Sequence, residues 1–327
     1  MKFVTIDART GMQEGFALLK SVAVKTGKNG ADYLDLLLSD ADGEMPAKLW
    51  SYKPDIHGEY SVNQIVKLRG TVESYRDQPQ FRVERIRHLA PEDGLDLNEF
   101  VPAATDEPEE MYSALIKTAQ GFADKKLTAL VTNIYEENKE KLLSFPAAFR
   151  LHHAVRGGLL WHTLSVVRLC QSAIKLYPFL RGDLLLCGAM LHDICKLEEY
   201  VVAETGLVSG YTAQGLLLGH LVRGAMLVEK EGERLGLERE TLVLLEHMLI
   251  SHHGQPEFGA ASRPLFLEAE VLAQCDLLDA TVFEFYEAQA SVKQGEFSQR
   301  QWSLHDRKIY RHGGTGEFSL GVLEENW

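Results

Sequence analysis

The pattern of apolar and polar positions changes period once along the chain. Between residues 14 and 89 apolar and polar side chains alternate, most clearly from Ile65 to Val72, as is typical of strands that bury one face. Turn-forming Gly, Asn, Asp and Pro residues separate the apolar runs. Five short strands within about 75 residues favour a small closed or nearly closed barrel, and an OB-fold is the leading candidate. The predicted strands span residues 16–25, 33–39, 47–52, 65–75 and 81–88.

Beyond residue 110 the apolar positions follow a helical period. Seven helices are predicted, over residues 111–123, 125–139, 159–176, 184–197, 216–235, 240–251 and 267–290. The sequence therefore predicts a multi-domain chain, with an N-terminal all-β OB-fold barrel followed by an all-α domain. We expect the OB-fold domain over residues 1–91, an acidic linker over 92–110, the helical domain over 111–295 and a C-terminal tail without an assigned role over 296–327.

Charge is distributed unevenly along the chain. The net charge is −13, yet residues 1–91 carry 13 Lys and Arg against 12 acids, and residues 92–110 carry eight acids and no base. The acidic stretch also contains prolines and few core-forming residues, which is why we predict a domain boundary there. A protein of this charge repels nucleic acid at long range, so any contact with a strand must be local.

The overall composition is that of an ordinary globular protein, with 45% hydrophobic and 25% charged residues. The longest apolar stretches are too short to cross a bilayer, and the N-terminus shows no long apolar segment of a secretory signal. We therefore expect no membrane partner. Four cysteines stand in apolar segments without a CxxC pair, which predicts buried, reduced thiols in a cytoplasmic protein. They are Cys170, Cys187, Cys195 and Cys275.

Histidine and aspartate residues recur at intervals of 24 to 32 residues through the predicted helical domain. A single histidine on an apolar helix is usually structural, and His152, His153 and His247 are interpreted as structural or outer residues. Seven other imidazole and carboxylate side chains are more than one transition-metal ion needs and about right for two. Asp193, next to His192, could bridge two ions, and a two-metal site indicates hydrolysis of a phosphate ester. The seven candidate ligands are His162, His192, Asp193, His220, His252, His253 and Asp276.

The motifs around these residues resemble those of the HD-domain metal-dependent phosphohydrolases. The matching segments are Gly157-Gly158-Leu159-Leu160-Trp161-His162-Thr163, Leu191-His192-Asp193-Ile194-Cys195-Lys196 and Asp276. The resemblance implies that one metal ion is held by His162, His192, Asp193 and Asp276. It implies that a second ion is held by Asp193, His220, His252 and His253, with Asp193 as the bridge.

A narrower resemblance, to the YhaM-type 3′→5′ exoribonucleases, covers residues 14–312. It rests on the OB-like module, the acidic linker and the segments Ser251-His252-His253-Gly254, Glu257-Phe258-Gly259 and Asp276-Leu277-Leu278-Asp279-Ala280. In this pattern Asp276 matches the metal ligand better than Asp279 does. Cys195 departs from the pattern, because many members have Gly after the His-Asp-hydrophobic triplet.

The narrower resemblance implies a metal-dependent exoribonuclease that hydrolyses single-stranded RNA, and by extension single-stranded DNA, to nucleoside 5′-monophosphates by a two-metal mechanism. It favours two Mn²⁺ ions, although the ligand types also suit Fe²⁺ or another transition metal. We expect catalytic roles for Asp193 and Lys196. Lys196 follows His192 by four residues on a predicted helix, so it should face the same side and stabilise negative charge on the phosphate.

The OB-fold module is expected to bind the strand, because such modules stack bases on aromatic rings and meet phosphates with cations. Arg263, in the loop after the histidine pair, is a candidate phosphate clamp. The candidate stacking residues are Tyr33, Trp50, Tyr75 and Phe81. The candidate phosphate contacts are Lys67, Arg69, Arg82, Arg85 and Arg87.

Two other functions fit the same residues. One is an HD-type phosphohydrolase of free nucleotides or cyclic dinucleotides, although the Gly-Tyr-Pro tripeptide of the cyclic-dinucleotide enzymes does not follow His252-His253. The other is a non-catalytic nucleic-acid-binding regulatory protein with a structural metal, which the intact ligand set and Lys196 argue against. Assembly into a homo-oligomer could compensate for the weak basic charge.

Overall fold

The computed structural model describes residues 11–40, 43–75, 78–95, 99–101, 103–149, 153–290 and 292–314. It contains two compact units. The first takes in the described residues of Met1–Pro102 together with Val202–Ser209, and the second those of Ala103–Val201 and Gly210–Trp327. His152 and residues 315–327 of the predicted tail lie outside the described residues.

The first unit is a closed five-stranded barrel. Its strands are β1 (Met12–Thr26), β2 (Asp32–Asp40), β3 (Gly43–Leu49), β4 (Ile65–Tyr75) and β5 (Gln78–His88), with a short helix α1 (Pro54–His57) between β3 and β4. The strand order around the barrel is β1-β2-β3-β5-β4. Only the pairing of β3 with β5 is parallel among these five neighbouring pairs. The predicted OB-fold barrel is confirmed.

Alternation along the strands fills the barrel with aliphatic side chains. On β2, Leu34, Leu36 and Leu38 are buried, while the residues between them are only partly covered. Phe81 of β5 is completely buried in the same core. Its prediction as a base-stacking residue is wrong, because no face of the ring reaches the surface.

The third strand ends earlier than predicted. It stops at Leu49, because Ser51 takes a positive φ of 55° that the ladder of a strand does not accommodate. Trp50 therefore stands immediately beyond β3, and its ring is 48% exposed.

The second unit is helical, and six of the seven predicted helices are present as single helices. Its helices are α2 (Pro108–Gln120), α3 (Lys125–Glu137), α4 (Lys139–Leu142), α5 (Gly158–Leu176), α6 (Gly182–Leu191), α7 (Lys196–Glu199), α8 (Ala213–Arg234), α9 (Arg239–Ser251) and α10 (Leu267–Ala290). Helix α6 packs against α3, α5, α9 and α10, which explains why its sequence is apolar on every side. Among the described helices, none is both long and apolar enough to span a membrane.

Two interruptions of the helices differ from the prediction. The helix expected over residues 184–197 is divided, because α6 ends at Leu191 and α7 begins only at Lys196. Helix α8 kinks at Gly219, whose φ of 68° and ψ of 170° are not helical. Each interruption comes immediately before a predicted metal ligand, His192 or His220.

A β-hairpin that the sequence did not predict follows α7. Its strands are β6 (Tyr200–Val202) and β7 (Val208–Tyr211), and the residues between them belong to the first unit. There Leu207 joins a buried cluster with Leu18 and Ile65. Asn63 donates its side-chain N–H to the carbonyl of Val208 at 2.6 Å, a second contact between the barrel and the start of β7 within the first unit.

Gly158 at the start of α5 provides a test of this packing. A Cβ atom at this position would lie 2.0 Å from the carbonyl oxygen of His153, far inside van der Waals contact. We expect Gly158→Ala to lower the free energy of unfolding by roughly 1–3 kcal/mol, as over-packing of a core does. Denaturant unfolding followed by circular dichroism measures the change.

Gly210→Ala is the matched control, because a Cβ atom there meets no atom within 4 Å. We expect its stability to stay within about 0.5 kcal/mol of the parent, as for other surface substitutions. Equal stability of the two variants would show that the close approach at Gly158 does not exist.

Candidate metal centre

The structure brings the seven predicted ligands into one cluster in the second unit. His162 lies on the first turns of α5, and Asp276 lies on α10. His192 caps the C-terminus of α6, and Asp193 is the next residue. The other three come from helix interruptions or ends: His220 after the kink of α8, and His252 and His253 after α9.

One group of ligand atoms surrounds His162. Its Nε2 atom lies 3.2 Å from His192 Nε2, 3.1 Å from Asp276 Oδ1 and 3.5 Å from Asp193 Oδ2. Ligand atoms about 2.1 Å from a common ion lie about 3.0–3.4 Å apart at octahedral or tetrahedral angles. The spacing of this group therefore suits a single ion.

A second group faces the other oxygen of Asp193. Asp193 Oδ1 lies 3.3 Å from His220 Nε2 and 3.6 Å from His252 Nε2. His253 completes this group, in which the three imidazoles offer ligand atoms within 4.8 Å of one another. Asp193 thus presents one oxygen to each group, which is the arrangement of a bridging carboxylate.

The ring nitrogens of the histidines are oriented by hydrogen bonds. The Nδ1 atoms of His192 and His252 each donate to the carbonyl three residues earlier, that of Ala189 or Leu249, both at 2.8 Å. Because a carbonyl only accepts, Nδ1 carries the proton and Nε2 keeps its lone pair for an ion. His162 Nδ1 is similarly held, 2.7 Å from Asp279 Oδ2.

The second group contains buried acceptors that face each other without a donor. Asp193 Oδ1, His220 Nε2 and His252 Nε2 are buried and have no hydrogen-bond partner among the residues that the structure describes. Leaving such atoms unsatisfied costs several kcal/mol together. A cation between them removes this cost, so the donor set fits a divalent metal ion.

The ionisation states of most of the cluster suit the same purpose. His162 is the exception: burial would lower its pKa, but hydrogen bonds to Asp276 and Asp279 raise it to about 10, so an ion must displace a proton there. Burial would raise the pKa of Asp193, but the charges of Lys196 and His192 hold that pKa well below its usual range. Asp276 also has a lowered pKa, because its hydrogen bond and charge interaction with His162 outweigh its burial. Burial lowers the pKa of His252, and burial with neighbouring imidazoles lowers the pKa of His253 to about 3. Anionic carboxylates and neutral imidazoles are the forms that bind metals.

Asp279 is an outer residue that the sequence reasoning did not assign. Its carboxylate lies 2.9 Å from His153 Nε2 and also accepts hydrogen bonds from His162 and Ser165. His153 thus lies in the outer layer, as interpreted from the sequence. The spacing of Asp279 from Asp276 could have indicated this role, since residues three apart share a helix face.

Glu199 supports His220 in the same way. Its carboxylate accepts hydrogen bonds from the Nδ1 atom and, at 2.9 Å, from the backbone N–H of His220. Nothing in the sequence pattern identified Glu199, because its partner lies 21 residues away across a hairpin that was not predicted.

Lys196 lies beside the cluster, although not on the predicted continuous helix. Its backbone N–H donates to the carbonyl of Asp193 at 2.9 Å, and its Nζ lies 2.6 Å from Asp193 Oδ2. Burial would lower the pKa of Lys196, but the interaction with Asp193 outweighs burial and raises the pKa above its usual value. The side chain is therefore a buried cation.

Two other predicted or noted residues differ from Lys196 in their surroundings. Burial raises the pKa of Cys195 to about 12, so its thiol stays protonated as a packing group. Arg263 is exposed between α9 and α10, and no hydrogen bond or ion pair among the described residues joins it to the cluster.

On the barrel, two of the predicted stacking residues lie together. The ring centroids of Tyr33 and Trp50 are 4.7 Å apart. Lys48, which was not predicted, places its ammonium 4.8 Å from the Tyr33 ring and 5.4 Å from the Trp50 ring. Arg82 is the Cα partner of Lys48 on the neighbouring strand and pairs with Glu73 at 3.2 Å.

The other barrel candidates lie on strands β4 and β5. Tyr75 is exposed at the end of β4. Four of the predicted cations line a groove with a volume of about 480 Å³. Carboxylates accompany two of them: Glu14, which also lines the groove, lies 3.2 Å from Lys67, and Asp93 binds Arg87 at 2.6 Å. The four cations are Lys67, Arg69, Arg85 and Arg87.

Comparisons with known proteins agree with this geometry. Residues 159–281 match the HD domain family. The chain is 37% identical over 298 residues to the 3′-5′ exoribonuclease YhaM of Listeria innocua serovar 6a, covering 91% of this chain and 94% of that protein. The YhaM of Oceanobacillus iheyensis is 34% identical over 302 residues, with 91% and 93% covered.

A relative from Geobacillus sp., also called 3′-5′ exoribonuclease YhaM, is 33% identical over 297 residues and shares 90% of both chains. Among solved structures, PriB from Ralstonia solanacearum covers 24% of this chain and 98% of its own at 11% identity, with a TM-score of 0.22 that carries no conclusion. Identities above 30% across nine-tenths of the chain confirm the resemblance found in the motifs. The chain belongs to the family of the YhaM 3′-5′ exoribonucleases.

Proposed function

We propose that this chain is a metal-dependent 3′→5′ exoribonuclease that hydrolyses single-stranded RNA to nucleoside 5′-monophosphates. The observation that carries the proposal is the cluster centred on Asp193, which offers each of two ligand groups one carboxylate oxygen. Membership in a family whose curated relatives bear this activity in their name supports it. Single-stranded DNA is a second substrate class, since base stacking does not depend on the sugar.

The chain would hold two divalent ions through its own side chains. The first would be held by His162, His192, Asp193 and Asp276, and the second by Asp193, His220, His252 and His253. We expect Mn²⁺, although the ligand types also suit Fe²⁺ or another transition metal. Bound ions would polarise the phosphate and lower the pKa of a bound water.

The remaining steps fall to residues that position and stabilise. Asp279 and Glu199 fix the imidazoles of His162 and His220, so that the Nε2 atoms stay aimed into the centre. The ammonium of Lys196, buried beside Asp193, stabilises negative charge that develops on the scissile phosphate. Its burial makes this interaction stronger than it would be in water.

The barrel would bind the strand through its surface aromatics. Tyr33 and Trp50 form an adjacent pair of rings, and Lys48 supplies a cation beside them. Such a pair suits stacked bases with a nearby phosphate. Arg82, the partner of Lys48 on β5, extends this surface. Exposed Tyr75 at the end of β4 is a separate candidate for stacking, and the groove with Arg69 and Arg85 is a second path for phosphates.

We further propose a cytoplasmic location. All four cysteines are free thiols, and three of them are buried. Proteins that keep cysteines reduced are typical of reducing compartments.

Self-association into a homo-oligomer is also part of this proposal. Leu216 and Leu217, adjacent on α8, are 73% and 82% exposed, and exposed apolar clusters often mark contacts between chains.

The direct test is the degradation of 5′-labelled single-stranded RNA with and without Mn²⁺. We expect a ladder that shortens from the 3′ end, nucleoside 5′-monophosphates as products, and no reaction in the presence of a chelator. Hydrolysis of free or cyclic nucleotides with the RNA left intact would contradict the proposal.

Asp193→Asn should lower turnover by more than about 100-fold, because even outer residues of metal sites account for losses of 10- to 100-fold. The substitution keeps the shape of the side chain but removes the charge shared by both ligand groups. Turnover of labelled RNA and the Mn²⁺ content of the purified protein are the readouts. Asp55→Asn, an exposed aspartate on α1, is the control with the same chemical change. Near-parental turnover of Asp193→Asn would exclude the bridging role.

Asp279→Asn should weaken Mn²⁺ affinity by about 10- to 100-fold without removing a ligand. The amide cannot satisfy both His162 and His153, so the imidazole of His162 loses its fixed orientation. Calorimetric titration with Mn²⁺ gives the affinity, and assays at saturating Mn²⁺ should recover much of the turnover. A turnover loss that added Mn²⁺ does not reduce would show that Asp279 acts in another way.

Trp50→Ala should weaken binding to single-stranded RNA by about 1–3 kcal/mol, the contribution of one stacked base. Hydrolysis of bis-p-nitrophenyl phosphate should stay unchanged, because that small diester needs only the metal centre. Val24→Ala, an exposed position on β1, is the control in the same unit. If Trp50→Ala bound RNA as tightly as Val24→Ala does, the aromatic pair would have no part in holding the strand.

A further inference from the structure

The segment after α10 folds into a hairpin within the second unit. The C-terminal hairpin, Gly295–Arg311, is held by backbone hydrogen bonds between its arms, such as that from Ser298 N–H to the Ile309 carbonyl at 2.8 Å. At its tip, His305 and Asp306 both take a positive φ, as the central residues of a type I′ turn do. Two consecutive non-glycine residues in this conformation are uncommon, and strain of this kind is frequent at functional sites.

One face of the C-terminal hairpin is anchored on α10. Leu304 and Ile309 are buried with Ala288, and Phe285 packs against them. Phe285 follows the proposed ligand Asp276 by nine residues on the same helix, about 14 Å along its axis. The hairpin is thus fixed to the helix that contributes to the metal centre.

The C-terminal hairpin also displays aromatic side chains to solvent. Trp302 is 72% exposed, Phe297 61% and Tyr310 47%. The rings of Phe297 and Tyr310 lie side by side, with centroids 5.0 Å apart. Large rings are rarely left exposed together without a binding role.

The C-terminal hairpin and the residues that flank it are basic in an acidic chain. Residues 292–314 carry five Lys and Arg and two acids, a net charge of +3, whereas the whole chain has −13. Arg300 and Arg311 donate to backbone carbonyls, of Asp306 and Val292. No close ion pair among the described residues joins a cation of this segment to a carboxylate. Arg307 lies over the Phe285 ring, with its Cζ 5.1 Å from the ring centroid. The five cations are Lys293, Arg300, Arg307, Lys308 and Arg311.

We propose that the C-terminal hairpin is a second binding surface for single-stranded nucleic acid, which holds the substrate strand upstream of its 3′-terminal nucleotide. Exposed rings can stack on bases, and cations without carboxylate partners can meet phosphates. A protein partner would not require this excess of unpaired positive charge. The identity of the strand as substrate rests on the proposed function.

The experiment measures binding of the full, Mn²⁺-loaded chain to a 5′-fluorescent single-stranded RNA of about 20 nucleotides, whose phosphorothioate linkages at the 3′ end resist hydrolysis. Trp302→Ala should weaken binding about fivefold or more. Lys308→Ala should reduce the slope of log affinity against log salt by about 0.7, the value for one phosphate contact on a single strand. The controls are Phe179→Ala, an equally exposed ring, and Lys117→Ala, an exposed lysine on α2, and both should leave binding unchanged.

Hydrolysis of bis-p-nitrophenyl phosphate with Mn²⁺ should be the same in all four variants. Parental RNA affinity and salt slope in both hairpin variants would overturn the inference, as would a change that appears only in self-association measured by light scattering. If the parent chain bound RNA through the hairpin but did not shorten it, the exonuclease proposal would fail while the binding surface stood.

Discussion

The buried carboxylate of Asp193 is the group on which the arrangement of the second unit depends. An unpaired anion in a helical core costs several kcal/mol, so the surrounding elements must supply positive charge to both of its oxygens. The ammonium of Lys196 pairs with one oxygen, while the other faces, within the described part of the chain, the lone pairs of two imidazoles. Without a cation at that second oxygen, the close approach of these helices would be unfavourable.

The same local arrangement of a histidine at a helix C-terminus occurs twice around Asp193. His192 and His252 both stand at the C-terminus of a helix and both donate Nδ1–H to the carbonyl three residues earlier. This bond satisfies one of the carbonyls left over at a helix end and aims Nε2 at the centre. Helix C-termini also carry partial negative charge, so two of them directed at one place favour cations there.

The barrel, and the set of His and Asp residues that the structure brings together, could be predicted from the sequence because each has a strong local signal. Alternating strands and the spacing of His and Asp residues depend on period and residue type, which do not require knowledge of the tertiary fold. The supporting residues were not predictable in this way. Glu199 meets His220 only because an unpredicted hairpin follows it, and Phe81 faces inward because of the register of β5, which alternation alone leaves open by one residue.

The segment Val202–Ser209 has a consequence for how this protein could have evolved. It belongs to the first unit, although it is encoded between α7 and α8 of the second. The barrel unit is therefore built from two separate stretches of the gene, one of them only eight codons long. Exchange of the N-terminal region for another module would leave Leu207 without the apolar residues that cover it. The barrel therefore cannot be exchanged as one continuous module. Recombination at the acidic stretch would have to be accompanied by a change at a second site about 100 codons downstream.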